Sequence, residues 1–294
     1  MKNLIKTIIK KIILTTYDLL FWRLKNFFIH PLCPLCDSKT NQENAYKRHF
    51  RKCNNCNFIF SNDLPSIILD IGMGMTGSWG GIKSGGAREY WLTKFLYSNF
   101  ERKKTLLYGV GTAFGFVKLL DEKYDVYGSD ISKNVVTYYD NLLPNKYFHA
   151  YKIDGLFGYI IATEVFEHFV RPRKDFELIL NHLENDGILC GTTNFYPDSG
   201  PIIDNQQLGY MEIKEHQSYW SKKSMSMFAK KHKLELILFK MIRPGSVLRD
   251  TKYNEIYENK VVFFLTRDKK KYKKLLKIRD KNRILNLDVE TIKF

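Results

Sequence analysis

Leu106-Leu107-Tyr108-Gly109-Val110-Gly111-Thr112-Ala113-Phe114-Gly115 is the stretch on which the reading of this chain turns. A short apolar run of strand type enters a turn with glycines at 109 and 111. Glycine adopts dihedrals closed to other residues and lets backbone approach a ligand closely. Phe114–Glu122 reads as a helix, and Tyr124-Asp125-Val126-Tyr127-Gly128-Ser129-Asp130 as a second strand. Asp130 ends that strand 19 residues after Gly111. A nucleotide site of the doubly wound kind places an acid about there, to hold ribose hydroxyls. Ile68-Leu69-Asp70-Ile71-Gly72-Met73-Gly74-Met75-Thr76-Gly77 has a similar look, but Ser78-Trp79-Gly80-Gly81 continues it as a loop. The cofactor turn is therefore assigned to Gly109–Gly115. The Gly72–Gly77 stretch is read as a gating or acceptor loop, or a linker, within residues 63–100.

Strand and helix patterns then alternate. Asn134–Leu142, Arg173–Leu183 and Ser221–Lys231 read as helices. Tyr147–Ile153, Gly158–Thr163, Gly187–Thr193, Leu234–Phe239 and Val261–Thr266 read as strands, with an Asn185-Asp186-Gly187 turn before the third. Such alternation indicates an α/β fold with a mostly parallel sheet covered on both faces.

Cys33-Pro34-Leu35-Cys36 and Cys53-Asn54-Asn55-Cys56 are two C-x-x-C knuckles separated by 16 residues. Four thiolates so spaced suit a structural zinc ribbon over residues 31–62, whose filled ligand set leaves no open position for catalysis. With 294 residues and 44% hydrophobic content the chain can build a sizeable core, which excludes disorder over most of its length.

The 47 Lys+Arg against 31 Asp+Glu give a net charge of +16, which favours anionic partners. Lys2, Lys6 and Lys10 fall on one helical face beside Leu4, Ile5, Ile8, Ile9, Ile12 and Ile13. Residues 1–30 thus read as a basic amphipathic helix suited to an anionic membrane surface. Residues 267–294 read as a basic tail, with Tyr272 its one aromatic before the final Phe294, so no base-stacking platform is indicated. No apolar run is long enough to span a bilayer.

Four elements together carry a resemblance: Tyr108-Gly109-Val110-Gly111, Gly128-Ser129-Asp130-Ile131-Ser132, Glu164-Val165-Phe166-Glu167-His168 and Asn185-Asp186-Gly187-Ile188-Leu189. Over about residues 100–266 the chain resembles class I S-adenosylmethionine-dependent methyltransferases. It is most similar to the small-molecule and surface-polysaccharide type that carries an N-terminal zinc ribbon. The resemblance implies a Rossmann-like seven-stranded doubly wound sheet over 101–266, with Val261–Thr266 as the reversed seventh strand. It implies S-adenosylmethionine held by Tyr108, Gly109, Gly111, Asp130, Ile131, Asp154, Thr163 and Glu164. The chain departs from the family's pattern at Leu107, where an acid is common, and at Ala113, where a third glycine is usual.

For the chemistry, His168 is the candidate base, since a neutral imidazole can take a hydroxyl proton near neutral pH. Glu167 would orient it, and His216 would line the acceptor pocket. Some relatives with the Glu-x-x-Glu-His pattern bind a divalent metal, which implies Mg²⁺ or Mn²⁺ at Glu164, Glu167, His168 and His216. The reading that joins these features is methylation of a sugar or lipid-linked glycan precursor at the cytoplasmic membrane face. An RNA methyltransferase, gripping RNA through ribbon and tail, and a zinc-stabilised scaffold with a degenerate cofactor pocket are the alternatives.

Overall fold

The computed structural model describes residues 32–45, 47–62, 87–111, 114–197, 208–242, 256–282 and 284–285. Residues 1–30, expected from the sequence to form a basic amphipathic helix, and the Gly72–Gly77 stretch lie outside them. The elements are β1 (Thr40–Ala45), β2 (Arg48–Cys53), β3 (Ile59–Ser61), α1 (Ala87–Asn99), β4 (Thr105–Tyr108), α2 (Phe114–Asp121), β5 (Val126–Asp130), α3 (Lys133–Leu142), β6 (Tyr147–His149) and β7 (Phe157–Thr163). A 3₁₀ turn (Phe166–His168) leads to α4 (Pro172–Asn181), β8 (Leu183–Tyr196), α5 (Leu208–Glu212), β9 (Ser218–Ser221), α6 (Lys222–Lys231), β10 (Glu235–Ile242), β11 (Ile256–Thr266), α7 (Lys269–Asn282) and β12 (Ile284–Leu285).

The central sheet runs β6-β5-β4-β7-β8-β11-β10. Strands β6 to β8 are parallel, and β11 lies antiparallel between β8 and β10. This is the seven-stranded Rossmann-like order, with the reversed strand where the sequence places it. Alternate residues face opposite sides. Leu106, Ile160, Leu189 and Phe263 pack with α4, α6 and the cysteine knuckles, through Phe176, Phe228 and Cys33. Leu107, Ile161, Cys190 and Phe264 pack with the other layer, through Leu96 of α1, Phe116 of α2, Val135 of α3 and Leu275 of α7. Leu107 therefore serves as core where relatives carry an acid.

Three expectations are corrected. Residues 63–100 are not all linker: Ala87–Asn99 is a helix whose Leu92 and Leu96, four apart, are fully buried. Nor is 267–294 all tail. Tyr272, Leu275 and Leu276 form a narrow apolar stripe that seats α7 on the core, a stripe masked in the sequence by the surrounding lysines. Finally, β8 begins at Leu183 rather than after the Asn-Asp-Gly turn. Its irregular pairing with β7 between Phe157 and Tyr159 absorbs those residues. Lys103 and Lys271 bind the Asp186 carboxylate there, at 2.8 and 3.0 Å.

The cysteine ribbon is joined edge-on to this sheet. β1, β2 and β3 form an antiparallel meander, β3 pairs with β9, and β9 pairs with the far end of β8 through Phe195–Trp220. Phe58 closes the junction edge-to-face on Trp220, with ring centroids 5.0 Å apart.

Candidate active site and cysteine centre

The order of strands reverses at β4, with β5 on one side and β7 on the other, the place where open α/β sheets bind ligands. Gly109 and Gly111, just past the end of β4, have φ of +71° and +59°. Gly109 also passes so close to β7's exit that a Cβ there would lie 2.7 Å from Val165 Cγ2. The Gly109 and Val110 amides both donate to the Ser129 carbonyl, at 2.8 and 3.0 Å, which folds the turn back toward β5.

Asp130 ties the turn down. Its Oδ2 accepts from the Gly111 amide at 3.0 Å and its Oδ1 from the Ser132 amide at 2.7 Å. Each oxygen keeps a lone pair, so the carboxylate fits two ribose hydroxyls as well. Burial raises its pKa, against the pull of those amides. Ile131, next to it, is an exposed apolar side chain at 41%, as a flat base would need. Tyr108 is buried at the end of β4. Asp154, by contrast, is exposed in the turn before Gly155. The turn, Asp130 and Ile131 thus form a cradle of backbone, carboxylate and apolar side chain whose groups could hold S-adenosylmethionine.

Tyr147, whose role no motif signalled, supports the cradle together with Gly128. The Tyr147 hydroxyl donates to the Gly111 carbonyl at 2.9 Å. Its ring stacks on Tyr139 at 4.7 Å and lies over Gly128, where a Cβ would meet it at 2.4 Å. Gly128 is therefore required to admit the tyrosine that props the turn.

Thr163, the last residue of β7, is buried, and Glu164 just past it takes a left-handed φ of +52°. Glu164 accepts from the Thr192 hydroxyl at 2.6 Å, pairs with Arg88 at 3.0 Å and bonds Lys260 Nζ. Burial would raise its pKa, but the charges of Lys260 and Arg88 prevail and hold it at about 2. Its carboxylate is committed to these cations, which removes Glu164 from the four-residue metal set. Neither Arg88 nor Lys260 belongs to a recognisable motif. The one hint was a lysine leading into the apolar run Val261–Leu265.

Glu167, His168 and His216 do come together, with one ligand atom from each lying within 4.8 Å of the others. Glu167 is 1% exposed; its Oε2 accepts from the Thr193 hydroxyl at 3.1 Å, while its Oε1 has no hydrogen-bond partner among the described residues. Burial, with the nearby Glu164 charge, raises its pKa. His168 Nδ1 lies 3.2 Å from the Glu215 carbonyl and His216 Nδ1 2.7 Å from the Tyr210 carbonyl. A carbonyl only accepts, so each neutral imidazole carries its proton on Nδ1 and offers the Nε2 lone pair. Burial, and then the neighbouring His168, pushes the His216 pKa down to about 3, so this ring stays neutral. That makes His216 a poor base and a ready ligand.

The four cysteine sulfurs also lie within 4.8 Å of one another, with Cys33–Cys56 at 3.6 Å and Cys36–Cys53 at 3.5 Å. A tetrahedron of sulfurs around zinc has edges of about 3.8 Å. The two knuckles repeat one geometry. The Asp37 and Asn57 amides donate to the Cys33 and Cys53 carbonyls, and both residues take a left-handed φ near +60°. All four cysteines are free thiols, so the donor set fits one Zn²⁺.

No described helix is long and apolar enough to cross a membrane. Residues 46–238 match the methyltransferase-domain family. No curated protein matches the chain. Solved structures similar to it include the plantazolicin methyltransferase BpumL, in complex with a triazolic desmethylPZN analog and SAH. That enzyme is 13% identical, with a TM-score of 0.43 over 62% of this chain and 85% of that chain. A Haloferax volcanii complex of a methyltransferase activator with a methyltransferase matches at 14% identity. Its TM-score is 0.48 over 66% of this chain and 97% of that one. An S-adenosylmethionine-dependent methyltransferase from Clostridium acetobutylicum matches at 12% identity. Its TM-score is 0.41 over 61% and 89% of the two chains. With well over half its length matched, the chain belongs to the methyltransferase-domain family.

Proposed function

We propose that the enzyme methylates a hydroxyl group of a sugar or lipid-linked glycan precursor in surface polysaccharide biosynthesis. The observation that carries this reading is the Glu167–His168–His216 group past the end of β7, with two Nε2 lone pairs and one buried carboxylate oxygen unpartnered among the described residues. S-adenosylmethionine, when bound in the Gly109–Gly111 cradle, supplies an activated methyl group. The chain's own task is to align the acceptor oxygen with it and to remove the acceptor's proton. An alcohol needs that help far more than an amine, whose lone pair is already free. His168 is the residue placed to take the proton. In the alternative arrangement Glu167 Oε1 and the two Nε2 atoms would hold a divalent cation, Mn²⁺ rather than Mg²⁺ by their nitrogen content, and the His168 lone pair would then be spent on the metal instead of the proton. Such a cation would lower the pKa of a bound hydroxyl.

A membrane-side acceptor is supported by α7. Lys269, Lys273, Lys277 and Lys281 recur every four residues, all exposed, with no acidic partner among the described residues. Lysines in such a row act as point charges toward an anionic surface, each worth about 1 kcal/mol. The helix's aromatic, Tyr272, faces the core, so base stacking on RNA has no platform here.

The test is transfer of labelled methyl from S-adenosylmethionine into fractionated cell material, with Mn²⁺ binding followed by electron paramagnetic resonance. Label should enter the glycolipid or oligosaccharide fraction in an alkali-stable ether. Glu167→Gln should lower kcat at least about 100-fold and weaken Mn²⁺ binding, since it takes away the charge of a liganding carboxylate. Label confined to RNA would sink the glycan reading. Unchanged Mn²⁺ binding in Glu167→Gln would sink the metal reading.

A further inference from the structure

The segment that delivers His216 to the site is irregular, and its carbonyls must be satisfied where water is excluded. One side chain does most of this, and it comes from the cysteine ribbon. Arg48, at the start of β2 and 5% exposed, donates from Nη1 to the Met211 and Ile213 carbonyls at 2.8 and 2.6 Å. Its Nη2 donates to the His216 carbonyl at 3.0 Å and to Ser61 Oγ at 3.0 Å. The Tyr219 hydroxyl, 3.1 Å from Nη1, donates to the same His216 carbonyl at 2.7 Å. Downstream of His216 the chain is stapled to the 3₁₀ turn that carries Glu167 and His168. The Gln217 amide donates to the Glu167 carbonyl at 2.7 Å, and Trp220 Nε1 to the Phe166 carbonyl at 3.1 Å.

We infer that the ribbon is a working part of the acceptor site, with Arg48 as a positioning residue that holds His216 against Glu167 and His168. A planar guanidinium reaches three carbonyls of one loop at once; an ammonium cannot reproduce that fork. The fold of the ribbon then sets the geometry of the reaction site, because β2 ends at Cys53 and β3 begins three residues after Cys56, at Ile59. Loss of the cysteine centre would loosen the His216 segment without touching the cofactor cradle, whose contacts come from β4, β5 and β6. The inference rests on His216 serving the acceptor side, as proposed above, so its test needs readouts that do not depend on the acceptor's identity.

The test is hydrogen–deuterium exchange on the full chain, with Arg48→Met, with Arg48→Lys, and with the wild type treated with a zinc chelator. In Arg48→Met, peptides spanning 208–221 should exchange at least tenfold faster. Peptides spanning 105–132 should be unchanged, and S-adenosylmethionine affinity should stay within about threefold. Arg48→Lys should give only partial restoration. Where acceptor turnover is measured, kcat/KM should fall while cofactor KM holds. The chelator should raise exchange in 208–221 together with 33–61. Unchanged exchange of 208–221 after the cysteine centre is opened, as judged by faster exchange in 33–61, would overturn the inference, even if Arg48→Met fails to fold. So would equal loosening of 105–132 and 208–221, since that is mere destabilisation. Normal loop protection restored in full by Arg48→Lys would overturn the forked role of the guanidinium. Failure of the glycan reading alone would leave all these exchange results standing.

Discussion

Gly191→Ala is expected to cost more than about 4 kcal/mol and to leave little soluble protein. Gly191 sits in β8 between β7 and β11, opposite Ala162 and Phe263. A Cβ on it would lie 1.8 Å from the Ala162 carbonyl oxygen and 2.6 Å from the carbonyl carbon. These are backbone atoms of the central parallel pair, so no side-chain rotation relieves the clash, and the two strands would have to part. Strand separation would break the ladder that carries Thr192 and Thr193 to Glu164 and Glu167. Denaturant unfolding, or the soluble yield where the variant is too unstable to titrate, measures the effect. A variant within about 1 kcal/mol of wild type would contradict this packing.

Asp130→Ala should weaken S-adenosylmethionine binding at least about 100-fold while leaving most of the stability. The carboxylate offers hydrogen bonds to two ribose hydroxyls, each worth about 1.5–3 kcal/mol when the acceptor is charged. It also holds the Gly111 amide, so its loss frees the turn as well. Asp130→Asn is no gentle substitute. An amide nitrogen would face either the Gly111 or the Ser132 amide, donor against donor. Both variants should therefore fail in equilibrium dialysis with labelled cofactor. A second route to the same loss is Gly128→Ala, which drives the Tyr147 ring away from Gly111. Its expected effect is smaller, about tenfold, because the ring can shift without removing a ligand-binding group.

The parallel core was legible because each strand is buried on both faces and reads as a short apolar run between turn residues. The two C-x-x-C knuckles and the Glu167-His168 pair were legible because their spacing is local. What escaped was whatever depends on distant pairing. Nothing in Arg-His-Phe-Arg at 48–51 says that its first arginine will meet carbonyls 163 to 168 residues away. Nothing around Lys260 says that it will neutralise Glu164, which the motif had grouped with Glu167 and His168. The lysine-rich C-terminal segment was misread for a compositional reason: three apolar residues at helical spacing were outvoted by the charges between them. The ribbon's continuity with the main sheet through β3, β9 and β8 was not legible, since edge pairing leaves no local pattern.

The most direct test of the account is hydrogen–deuterium exchange of the full wild-type chain with and without S-adenosylmethionine. The cofactor is predicted to slow exchange in peptides covering 105–111 and 126–132, where the Gly109, Gly111 and Ser132 amides are held. Protection confined to 68–77, or no protection in either region from a folded protein at saturating cofactor, would contradict the assignment of the cofactor turn on which the rest is built.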